Sequence, residues 1–142
     1  MSGPTGRTRE RGSVLMLVPA GFLVVLVLAS IAVDLSVVHL RQRQAFDLAA
    51  AAANDGVTAG ADPRSLRRGA YLLDPGRTAD AVRATIEASE LGPDAAWSYR
   101  ATPAGLEVTV TVRASYIFAG VVPGAPDGTE VTATASATPL AG

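Results

Sequence analysis

The sequence predicts an α+β fold: a long N-terminal transmembrane helix that extends into a small external domain with a three- to four-stranded antiparallel sheet and one or two helices. Three observations predict it. Residues 13–33 form an uninterrupted run of 21 uncharged, mostly aliphatic residues. Neither Pro nor Gly interrupts residues 33–53, so the helix has no reason to stop where the apolar run does. The last third of the chain alternates apolar and polar residues with the period of two that belongs to half-buried strands. At 142 residues there is room for one domain only.

The run Ser13 to Val33 rises roughly 30 Å as a helix, the thickness of the hydrocarbon core of a bilayer. A soluble core of this size has no room for it. Pro19 and Gly21 lie inside the run; lipid tolerates both, with a kink as the usual result. Arg7, Arg9 and Arg11 precede the run, whereas Arg41 and Arg43 lie further beyond its other end. That bias sets residues 1–12 in the cytoplasm and everything after residue 33 outside, a single-pass topology. The competing expectation is a cleaved signal peptide, for which Ser30-Ile31-Ala32 offers a small-x-small site, although the apolar run exceeds the usual h-region.

Residues 34–56 are expected to continue the helix beyond the membrane, giving one helix of about 40 residues in which Gly56 serves as C-cap. The run Ala49 to Ala53 offers little bulk and lets another element approach closely. Two readings of this half stand side by side: a stalk packed on its own domain, or a surface that packs beside other helices in an assembly. Asp34 is the most informative single residue. Its helical neighbours Ser30, Ile31, Val37 and Val38 include no base. Its carboxylate must therefore reach interfacial water or a donor elsewhere, such as one in an assembly partner.

Residues 9–60 carry a resemblance to a known family. Arg11-Gly12-Ser13, the apolar span, Asp34, Arg41, Gln44, Asp47 and the Ala49–Ala53 run resemble the N-terminal region of Tad (tight adherence) pilus-assembly proteins of the TadE/TadG-like type. The resemblance covers about a third of the chain. It implies a pilin-like structural component of a bacterial Tad/Flp-type pilus assembly or secretion system, held in the cytoplasmic membrane. The implied partners are membrane lipid and other pilus-assembly or pilin-like membrane proteins, with Asp34, Arg41, Gln44 and Asp47 as assembly contacts. One position departs from the pattern. Pilins cut by a prepilin peptidase carry Glu five residues after the cleavage Gly, and here that position is Leu17. The chain is thus closer to the uncleaved TadG-like kind.

Residues 57–142 make up the expected external domain. Asp62-Pro63 reads as a helix start, with a short helix through about Leu73. Asp74-Pro75 or Thr78 opens a second, with Ala79, Val82 and Ile86 as its apolar stripe and Gly92-Pro93 as its end. Trp97, Tyr99 and Ala101 alternate with polar residues, Pro103-Ala104-Gly105 is a turn, and Leu106, Val108, Val110 and Val112 form the strongest strand pattern in the chain. Residues 129–138 alternate again, with a face of Val131, Ala133, Ala135 and Ala137 small enough to accept a helix. Tyr116, Ile117 and Phe118 are expected to complete the core, with an exposed docking patch as the alternative.

Composition and motifs argue against several function classes. A net charge of −1 gives no basic footprint for nucleic acid. The absence of Cys excludes a disulfide framework and a thiolate metal site. The single His, His39, has no second ligand nearby in the sequence, and neither a nucleophile elbow nor a phosphate loop occurs. No enzyme, cofactor, metal or small-molecule substrate is expected. The alternative to a pilus component is a secreted or anchored envelope module that binds a ligand or another protein.

Overall fold

A single helix, α1 (Glu10–Gly60), dominates the computed structural model, which describes residues 10–67 and 72–139. Residues 1–9, most of the expected cytoplasmic segment, lie outside the described residues. The helix has 51 residues and continues past Pro19 without a break, a length of about 77 Å. By length and composition the helix can cross a membrane, and its large side chains from Leu17 to Val33 are exposed.

The helix does not stop at Gly56, as expected, but runs four residues further to Gly60. The reason is packing rather than capping. A Cβ placed on Gly56 would stand 2.5 Å from Leu106 Cδ2 and 2.8 Å from Val82 Cγ2. Gly60 sits equally close to Thr78. The two glycines are the places where α1 lets a second helix and a strand touch its backbone.

That second helix is α3 (Pro75–Glu87), which follows the one-turn α2 (Pro63–Leu66). Asp74 caps α3 by accepting the Arg77 N–H at 2.9 Å, and Pro75 follows it in the first turn. Its buried stripe is Thr78, Val82 and Ile86; Ala79 is only half-buried. Asp62 caps α2 as expected, but α2 ends at Leu66, short of the helix anticipated to Leu73, of which residues 68–71 lie outside the described residues.

Three strands, β1 (Ala96–Thr102), β2 (Gly105–Ser115) and β3 (Gly128–Ala137), form one antiparallel sheet in the order β1-β2-β3. The inward side chains of β2 and β3 are those the alternation selected: Leu106, Val108, Val110 and Val112, then Val131, Ala133, Ala135 and Ala137. They form one buried cluster with Ala45, Leu48, Ala49, Ala52, Ala53 and Val57 of α1 and Val82 and Ile86 of α3. Trp97 and Tyr99 of β1, their rings 6.5 Å apart, close its edge. On the wet face, Thr109 and Thr111 pair through their hydroxyls with Thr134 and Thr132 at 3.0 and 2.9 Å.

Of the two readings of the outer half of the helix, the structure has the stalk packed on its own domain. The Ala run meets β2, β3 and α3 of the same chain. The division expected between residues 56 and 57 therefore cuts through the core, and the folded unit begins with the outer half of α1.

Candidate functional site

The joint between the apolar half of α1 and the domain is built on Asp34. Its residue follows the uncharged run directly, yet it is only 8% exposed. Its carboxylate accepts three backbone N–H groups from the loop that follows β2. Oδ1 takes Ile117 at 2.7 Å and Phe118 at 3.0 Å, and Oδ2 takes Ala119 at 2.9 Å. Successive N–H groups turned to one side form a concavity suited to an anion, and here the chain supplies the anion itself. Burial pushes the Asp34 pKa up, but the three N–H bonds outweigh it and hold the carboxyl below its ordinary value of 3.8.

The fold explains how residues more than 80 positions apart meet. Leu106 of β2 lies against Gly56, and the strand then runs back along the helix toward Asp34. From Gly56 to Asp34 the helix covers about 33 Å, and from Leu106 to Ser115 the strand covers about 31 Å. The loop that leaves β2 therefore emerges at the level of Asp34. An ion pair between Arg113 and Asp127 and a 2.9 Å bond from Tyr116 N–H to the Asp127 carbonyl close the base of this loop. A 3-10 turn, Ala119–Val121, shapes its middle.

The expectation that Tyr116, Ile117 and Phe118 complete the core fails for two of the three. Tyr116 is half-buried, but Ile117 and Phe118 are 53% and 48% exposed, and Val121 and Val122 reach 80% and 57%. The core is already filled by the Ala and Val faces of helix and sheet. The loop turns away from that core because its backbone is drawn to the Asp34 carboxylate.

The other residues implied by the resemblance are dispersed. Arg41 donates from Nη1 to Gln44 Oε1 at 3.3 Å, one turn along the helix, and both are half-exposed. Asp47 is exposed. The four do not form one cluster: Asp34 is engaged by its own loop, Arg41 and Gln44 by each other. A shallow groove lies beside them, between α1 and the edge strand β3, lined by His39, Gln42, Arg43 and Phe46 with Thr132 and Thr134. Sequence reasoning missed the loop amides altogether. The available signal was the uncharged stretch 114–126 beside a carboxylate with no base near it, but periodicity carries no information on a contact of that separation.

No protein-family model matches the chain, nor does any curated protein or solved structure.

Proposed function

We propose that the chain is a membrane-anchored, pilin-like structural component of a bacterial Tad-type pilus assembly or secretion system, with its domain on the outer side of the cytoplasmic membrane. The observation that carries the reading is the continuity of α1. One helix supplies an apolar segment of membrane-crossing length and, without a break, the central element of the domain core. Such a helix transmits position rather than chemistry: the domain cannot swivel on the anchor, because its own core residues belong to the anchor's helix. The exposed side of the outer half, with Leu35, Leu40 and Phe46, and the unpaired edge of β3 remain for partners. The role is structural rather than enzymatic.

A clean deletion in the native host tests the proposal. Loss of piliation, together with co-purification of the chain with pilus components, is the expected result; normal pili would defeat it.

The secreted module keeps one observation in its favour. All that the domain core requires, from Asp34 onward, lies beyond the Ser30-Ile31-Ala32 site. Intact mass separates the two: a full-length membrane species supports the anchor, and a soluble species beginning near Val33 supports the module.

A further inference from the structure

We infer that the β2–β3 loop is a second membrane contact, with Ile117, Phe118, Val121 and Val122 seated in the lipid interface beside the point where α1 leaves the bilayer. The inference rests on reading residues 13–33 as membrane-spanning, and not on the pilus role.

Position comes first. Asp34 is the residue after the uncharged run, and three hydrogen bonds fix the backbone of residues 117–119 to its carboxylate. The loop is therefore held at the height at which the helix crosses from hydrocarbon to headgroups. β2 runs back along α1, so this is the end of the sheet that faces the membrane; the β1–β2 turn at 103–104 is the opposite end.

Composition comes second. From Ala114 to Pro126 the chain has no charged residue, and the charges that flank it, Arg113 and Asp127, are paired with each other at the loop base. Four large apolar side chains within six residues are exposed on the protein surface. A water-facing loop has no use for such a cluster. A headgroup–acyl boundary does, and it also favours an aromatic such as Tyr116 at the rim.

The Asp34 bonds then acquire a reason. Backbone N–H groups near lipid are costly unless satisfied. The carboxylate satisfies three of them in the part of the loop that approaches the bilayer. Two attachments, the helix and the loop, would fix the tilt of the domain on the membrane, which one helix alone leaves free.

The chain has no native Cys, so single cysteines can carry an environment-sensitive fluorophore in the full-length protein. Val121→Cys probes the loop, Val25→Cys the span and Ala104→Cys the far end of the sheet; all three sites are exposed and outside the core. The protein is reconstituted into vesicles of zwitterionic and anionic phospholipid. Emission is then quenched with lipid-borne nitroxide or with aqueous iodide. The expected result is blue-shifted emission at positions 121 and 25, both quenched by the lipid nitroxide, with position 104 quenched by iodide alone. Iodide quenching at 121 equal to that at 104, with 25 in lipid, overturns the inference and leaves the anchor intact. Shielding of 121 from both quenchers also overturns it, in favour of a protein cover such as a second copy. Failure of the nitroxide to reach 25 removes the spanning reading itself and the inference with it.

Discussion

On the membrane-anchored reading proposed above, the two halves of α1 are one helix in two solvents. From Leu17 to Val33 its surface is Leu, Val, Ile and Phe, all exposed on the protein. From Ala45 to Gly60 its inward surface is Ala and Gly, with Leu48 and Val57, and it is buried. Both halves are apolar, but for opposite reasons. On that reading lipid fills any gap beside a side chain, so the first half maximises bulk for transfer out of water. A sheet and a second helix are rigid neighbours at fixed distance, so the second half minimises bulk to let them approach. Substitutions placed in matched pairs along the helix break or sharpen this contrast.

The largest effect follows from removing the outer half. A fragment of residues 57–142 lacks Ala45, Leu48, Ala49, Ala52 and Ala53 and leaves the inward faces of β2 and β3 bare. It should show no cooperative melting by circular dichroism. A fragment beginning at Val33 retains the whole cluster and should melt cooperatively. A folded 57–142 fragment would mean that the helix is a passenger on the sheet and not its core.

Next is a pair of leucines. Leu106 is fully buried, and Leu106→Ala should cost about 2–5 kcal/mol through lost burial and the cavity left behind. Leu26 is exposed in the apolar half. In Leu26→Ala, lipid takes up the space, and the melting of the domain in detergent or nanodiscs should not change measurably. Equal losses at the two sites would sink the two-solvent picture.

The glycines form a finer pair. Nothing lies within 4 Å of a Cβ on Gly21, whereas one on Gly56 meets two fully buried side chains. Gly21→Ala should leave the domain untouched. Gly56→Ala should destabilise it by about 1–3 kcal/mol from overpacking, offset in part by roughly 1 kcal/mol of helix propensity. Chemical denaturation of the two variants in parallel reads the difference.

These pairs also mark where sequence reasoning works and where it stops. The strands were readable because alternation is a local consequence of the pleat, and Val108, Val110, Ala133 and Ala135 face inward as their spacing required. The caps Asp74 and Asp62 were readable because their partners lie two or three residues away. Gly56 was misread as a helix end because a glycine that caps and a glycine that admits a neighbour look alike until the neighbour is placed. Of the joint, Asp34 alone stood out, through the absence of any base nearby; its partners are backbone amides, which leave no mark in a sequence.

The smallest effect at neutral pH, and the most specific, concerns that joint. Asp34 has its pKa lowered in the folded chain relative to the ordinary 3.8. A depressed carboxylate stabilises the fold above the unfolded value, and that contribution fades as pH falls through the folded one. The loop should therefore stay fixed from neutral pH down to about 3.8 and loosen only below it. A spin label on Val122→Cys in the full-length protein reports the change as a gain in mobility. In Asp34→Asn the side chain presents one oxygen and one NH2 group to three N–H donors, so either orientation sets donor against donor. That variant should be mobile at every pH and lack the acid transition below about 3.8. A label that stays equally ordered in both proteins across the range would show that the loop is held by its surroundings, with Asp34 incidental; a transition present only in the wild type isolates the carboxylate from Asp127 and every other acid in the chain.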